Sequence, residues 1–231
     1  MANSQKFTGL TISENDFAEM ATEKLVVCIV VDSSFSMNQS SDIKHHKSNI
    51  EQVNKGIHSL IDSAKKNMYA ADMLDIEIIT YGGTAEVYSQ FCIVKNMKFR
   101  DIIANGKTDM APALKLALST IKARQEHWNK VGTGGYKPWL IVIGDGNATT
   151  DISESAKEVR QLIKDKKIKY KFIGVGNGDF KSLKLLSPAG KVSSMTGLEI
   201  TDFFNNLSTA VANTSLSTPE AESEEQELGK K

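Results

Sequence analysis

Two cysteines, four prolines and no surplus of either charge are what this 231-residue chain has to offer where other classes of protein are rich. Cys28 and Cys92 each stand among apolar neighbours, so they read as small buried hydrophobes in a reducing compartment, and no thiolate metal site can be built from them. Four prolines and 16 glycines exclude a collagen-like chain, and 40% hydrophobic with 24% charged residues excludes a wholly disordered one. Lys plus Arg equals Asp plus Glu at 28 each, which leaves no bulk positive field to hold a nucleic acid or an anionic membrane. The longest apolar run, Leu25 to Val31, falls far short of the ~20 residues of a membrane-spanning helix. The opening MANSQKFTGLTISENDF lacks the basic-then-apolar order of a secretory signal, so a soluble cytoplasmic protein is expected and the Asn-x-Ser/Thr triplets at Asn38, Asn147, Asn206 and Asn213 read as chance matches.

What is present is an alternation of short apolar runs with amphipathic segments. Strands are predicted over Leu25 to Asp32, Leu74 to Tyr81, Ala85 to Gln90, Trp139 to Gly144 and Tyr170 to Val175, several of them rich in Val and Ile. A 3.6-residue period places Ile50, Val53, Ile57, Leu60, Ile61 and Ala64 on one helix face and Leu114, Ala117, Leu118 and Ile121 on another, with further helices over Ala156 to Lys164 and Leu198 to Ala212. Continuously apolar strands separated by helices imply a doubly wound α/β domain, a mostly parallel central sheet with helices on both faces. The turn Tyr81, Gly82, Gly83, Thr84 suits a hairpin and gives one antiparallel edge strand. Residues 1–22 are expected to form an N-terminal arm, with Phe7 to Ile12 adding an edge strand. Residues 23–213 are expected to form the domain, and residues 214–231, with five Glu and two Lys, a solvated, disordered acidic tail.

Ligands of open parallel sheets bind beyond the carboxyl ends of the strands. There the first strand runs into VVDSSFSM, placing Asp32, Ser34 and Ser36 in one turn; ANGKTDMAPAL carries Thr108 before a helix; and IVIGDGNATTD puts Asp145 at the tip of the fourth strand. Two carboxylates ~4 Å apart at an effective dielectric of about 20 repel by roughly 4 kcal/mol, and nothing nearby in sequence is cationic. Either one carboxyl keeps its proton or a cation enters, and three hydroxyls offer the hard oxygen ligands that favour the cation. Five oxygens with two formal charges suit Mg²⁺, with Mn²⁺ or Ca²⁺ as alternatives.

Asp32, Ser34 and Ser36 resemble the Asp-x-Ser-x-Ser element of the metal-ion-dependent adhesion site of von Willebrand factor type A (vWA) domains, with Thr108 and Asp145 as its threonine and second aspartate. The resemblance spans roughly Lys24 to Ala212. More narrowly, FIGVGNGDFKSLKLL and GLEITDFFNNLSTAVANTS look like tellurium-resistance proteins of the TerY type. The resemblance implies a metal whose open position is filled by an Asp or Glu of a partner protein. It implies no catalytic residue, no membrane and no nucleic acid, and it leaves monomer or oligomer open. Two positions depart from the family. Phe35 stands where glycine is common; facing outward it would be a partner contact, and folded under the loop it would be core. Gly144 replaces a threonine before the second aspartate and removes a hydroxyl.

The longer loop after Ser36 carries His45 and His46, which read as incidental because no Cys or Glu sits near them to complete a zinc set. His58 and His127 lie on predicted helices and read as structural. Gly106 to Thr108 fails as a phosphate loop because Asp101 stands where that motif needs glycine, and Gly174, Gly176 and Gly178 read as turn glycines. No Gly-x-Ser-x-Gly element is present for a serine hydrolase, and a receiver domain would need paired acids where only Asp32 is found. Two functions are carried forward. One is a metal-dependent protein-interaction module in a tellurite or stress-response assembly. The alternative is a metal-dependent phosphohydrolase with Asp32 as nucleophile, which would want an acid or base where Ser34 stands.

Overall fold

The strand Leu25–Asp32 (β1) is buried at all eight positions because it lies inside a sheet covered on both faces. The computed structural model describes residues 22–40, 47–146 and 148–214, with side chains to residue 211. The arm up to residue 21, the acidic tail beyond 214, His45, His46, Asn147 and the side chain of Asn213 lie outside the described residues.

Following β1 come Asn49–Lys66 (α1), Met68–Met73 (α2), Leu74–Gly82 (β2), Thr84–Ile93 (β3), Met110–Lys130 (α3), Trp139–Gly144 (β4), Ser153–Lys164 (α4), Lys169–Val175 (β5), Lys181–Leu186 (α5), Ser193–Met195 (β6) and Gly197–Thr214 (α6). The sheet order is β3-β2-β1-β4-β5-β6, parallel throughout except for the β2–β3 pair, which the Gly82-Gly83 turn folds into the expected antiparallel edge. Leu25, Val27, Ile29 and Val31 of β1 face α1 and α6; Cys28 and Val30 face α3, α4 and α5. A doubly wound α/β domain with helices on both faces is what the continuously apolar strands and the 3.6-residue helical period imply. The α1 stripe from Ile50 to Ala64 is buried as its spacing requires, and Ser48 with Glu51 closes a capping box at its start.

Three short elements carry no sequence signal of their own. β6 has no apolar run, and α2 and α5, at six residues each, are too short for a period to emerge. Gly174 lies within β5 and not in the turn that follows.

A second polar cluster lies towards the other end of the sheet. Asp75, wholly buried, accepts from Arg124 Nε at 2.5 Å, Arg124 Nη2 at 3.2 Å and Trp128 Nε1 at 2.6 Å. Beside it Glu77 accepts from the Thr120 hydroxyl at 2.5 Å and lies 3.7 Å from Cys28 Sγ. These bonds pin α3 to β2 under the core. Cys28 is a free, buried thiol as expected, while Cys92 is half-buried. His58 bonds Asp101 at 2.8 Å and packs edge-on against Phe99, and His127 packs edge-on against Trp128.

Candidate metal-binding site

Asp32 ends β1 and Asp145 follows β4. These strands are neighbours, and the chain passes from β1 to β2 on one flank and returns to β4 on the other. Such a reversal opens a crevice at the carboxyl edge of the sheet.

Three loops close around it and are bonded to one another through their backbones. Asn105 N–H donates to the Ser33 carbonyl at 2.6 Å, Phe35 N–H to Gly106 at 3.0 Å, and Thr149 N–H to Thr108 at 3.0 Å. The Thr149 hydroxyl donates to the same Thr108 carbonyl. Gly106 makes the close approach feasible. Its φ is +90°, and a Cβ there would stand 2.5 Å from the Gly82 carbonyl oxygen. The loop after β1 is held from below by the buried Met37 and by Asn38, whose amide donates to the Ala104 carbonyl at 3.1 Å.

All five sequence-predicted oxygen donors therefore sit on this stitched rim. Asp32 is wholly buried, Ser34 and Thr108 are buried, and Ser36 and Asp145 are half-buried. Asp32 Oδ1 accepts from the Ser34 N–H at 2.8 Å, and the Ser34 and Ser36 hydroxyls lie 2.9 Å apart. Thr108 is placed on the rim by its backbone, with its side chain turned out of solvent. Asp32 Oδ2 is different: it is buried with no hydrogen-bond partner.

Burial pushes the Asp32 carboxyl from 3.8 up to about 7; the hydroxyl and N–H of Ser34 pull it down, the charge of Asp145 pushes it up, and the Asp145 N–H pulls it down again. None of these influences is a cation. An orphaned carboxylate oxygen in a loop that also carries the Ser34 and Ser36 hydroxyls is the donor chemistry of a hard divalent ion, so these residues fit one. Among the described residues no three His, Cys, Asp or Glu side chains converge, so nothing there resembles a softer nitrogen or thiolate site.

Phe35 is 73% exposed, which settles its orientation: it projects from the rim and is not folded under the loop. Two residues escaped the sequence reading. Ile103, 81% exposed, stands between the buried Ile102 and Ala104 on the loop that bonds to residues 33–38. Tyr81 pairs with Asp32 across β1 and β2, and its hydroxyl is also buried without a partner. The available signal was a lone aromatic residue near the end of β2; Ile103 carries none, because exposure in a loop has no periodicity.

The family model of the von Willebrand factor type A domain matches residues 27–148, more than half of the chain. No curated protein matches it. Among solved structures it is similar to the vWA domain of SpRpn10, at 13% identity and TM-score 0.55 over 79% of this chain and 95% of that one. It is also similar to BatB of Bacteroides thetaiotaomicron, a conserved hypothetical protein, at 17% identity and TM-score 0.52 over 84% and 100%. The pilus adhesin SpaC of Lactobacillus rhamnosus GG gives 12% identity and TM-score 0.56 over 83% of this chain and 31% of the adhesin. At such identities the likeness concerns the fold.

Proposed function

The chain belongs to the von Willebrand factor type A domain family, a family of protein-interaction and adhesion modules, and from that premise we propose that it binds a partner protein through a divalent ion. Asp32, Ser34, Ser36, Thr108 and Asp145 would hold the ion, Mg²⁺ in preference to Mn²⁺ or Ca²⁺. A bound dication neutralises the two carboxylates and offers its remaining coordination to an Asp or Glu of the partner. The single observation that carries this reading is Asp32 Oδ2, a buried carboxylate oxygen with no hydrogen-bond partner among the described residues. A protein that only needed a core at this point would place an apolar residue there, since burying an unpaired charge costs several kcal/mol.

Phe35 and Ile103 are exposed apolar side chains on two loops that are bonded to each other beside the site. A partner segment with its carboxylate next to apolar side chains fits that combination, because aromatic anchors near a desolvated centre dominate binding energy. The resemblance of the chain's later segments to TerY-type proteins supports a place in a tellurite or stress-response assembly in the cytoplasm, with residues 23–213 as the binding domain between an arm and an acidic tail. The phosphohydrolase reading gains nothing from the geometry. Ser34, at the place where an acid or base is wanted, spends its hydroxyl on Ser36 and Asp32.

The test is thermal unfolding with Mg²⁺, Mn²⁺ or chelator. Wild-type protein should gain stability as RT ln(1 + [metal]/Kd), and Asp32→Asn should not. Absence of any metal-linked gain, or metal-dependent hydrolysis of a generic phosphate ester lost in Asp32→Asn, would overturn the proposal.

A further inference from the structure

Tyr81 is the largest wholly buried side chain among the described residues, and it belongs to the same core cluster as Ile79, Met110 and Leu114. Its hydroxyl, however, points away from that apolar packing towards the end of β4. A Cβ added at Gly144 would stand 2.6 Å from Tyr81 Oη, 2.8 Å from Asp32 Cβ and 3.0 Å from Asp32 Oδ2. The phenol oxygen and the orphaned carboxylate oxygen therefore border the same small space, one that exists only because residue 144 has no side chain. Both are buried, and neither has a partner. One is a donor and the other an acceptor. A phenol carries its proton at neutral pH and so can donate to a carboxylate.

We infer that Tyr81 is a positioning residue of the metal site: bordering the space over Gly144, its O–H donates to Asp32 Oδ2 once the ion is bound and fixes the orientation of that carboxylate, directly or through one water. The inference rests on the metal reading above and adds to it a residue from β2, outside the three loops. It also accounts for Gly144. A hydroxyl-bearing side chain there would collide with the phenol, so the chain supplies one buried hydroxyl from β2 in place of one from β4. Groups that hydrogen-bond a ligating carboxylate set its orientation and govern affinity as strongly as many ligands do.

The experiment is calorimetric titration of the full chain with Mg²⁺ and with Mn²⁺, in wild type, Tyr81→Phe and Tyr88→Phe. Tyr88 is the control, because its hydroxyl is bonded to the carbonyls of Arg100 and Asp101. Tyr81→Phe should raise the metal Kd by on the order of 10-fold, while Tyr88→Phe leaves it unchanged. Denaturant unfolding in chelator should find Tyr81→Phe as stable as wild type or more so, since the phenol has no bond in the fold to lose. A role confined to packing would do the reverse, lowering stability and sparing affinity. Independently of any variant, saturating the wild type with Mg²⁺ should give a near-ultraviolet tyrosine difference signal as the charges beside the phenol are neutralised. Wild-type protein that binds metal with Tyr81→Phe binding equally well, or that gives no tyrosine signal, overturns the role of Tyr81 alone. Wild-type protein that takes up neither ion overturns the metal reading and this inference with it.

Discussion

Replacing Asp32 by Asn removes the charge that the fold holds at greatest cost. In the metal-free protein the carboxyl titrates near 7, against 3.8 in an unperturbed chain, so the folded state binds the proton more tightly than the unfolded state does. The sign follows: stability due to this group is complete below about pH 4 and is lost as pH rises towards 7. A difference of about three pH units at about 1.36 kcal/mol each amounts to ~4 kcal/mol. Asparagine keeps an oxygen for the Ser34 N–H and presents an amide to the partnerless Tyr81 oxygen, and it carries no charge. The bond from the Ser34 N–H, charge-assisted in the wild type and neutral in the variant, takes back about 1–2 kcal/mol. In chelator at pH 8 the variant should therefore be roughly 2–3 kcal/mol more stable than wild type, a rise in melting temperature of about 4–12 °C for a domain of this size. At pH 4 the two should nearly coincide. Adding Mg²⁺ at pH 8 should reverse the order, because only the wild type gains from it. Urea unfolding followed by circular dichroism at the two pH values measures all of this. A variant less stable than wild type in chelator at pH 8, or a wild-type stability flat from pH 4 to pH 8, would refute the picture of a strained, metal-seeking carboxylate.

Phe35→Ala and Ile103→Ser should each change unfolding free energy by less than about 0.5 kcal/mol, because both side chains are exposed; a loss of ~3–5 kcal/mol on calorimetric or urea unfolding would place Phe35 in the core instead. Gly144→Ala puts a methyl group against Tyr81 and Asp32 and should cost about 1–3 kcal/mol in chelator, read by the same unfolding assay. Arg124→Ala leaves the wholly buried Asp75 without its ionic partner and should cost about 3–5 kcal/mol while sparing metal affinity, since that cluster lies away from the crevice.

The fold was legible in the residues because burial writes itself into period. β1 is apolar without interruption since both its faces are covered, and the α1 stripe repeats at 3.6 since one face is. The bounds of β1 and β4 follow from the same pattern to the residue, whereas β6, α2 and α5 take their form from neighbours and leave no period to read. The five oxygen donors could be named because polar residues follow apolar runs at strand ends, where an α/β sheet opens.

The sequence by itself determined the doubly wound architecture and offered Asp32, Ser34, Ser36, Thr108 and Asp145 as candidate oxygen donors, since both readings depend on local pattern. Only the tertiary structure decided that Asp32 Oδ2 is unpaired among the described residues, that Phe35 and Ile103 are exposed, and that the Tyr81 hydroxyl lies beside Gly144. The reason is that hydrogen-bond satisfaction and exposure are properties of the space between segments distant in the chain, and that space is set by the packing of β1, β2 and β4 together.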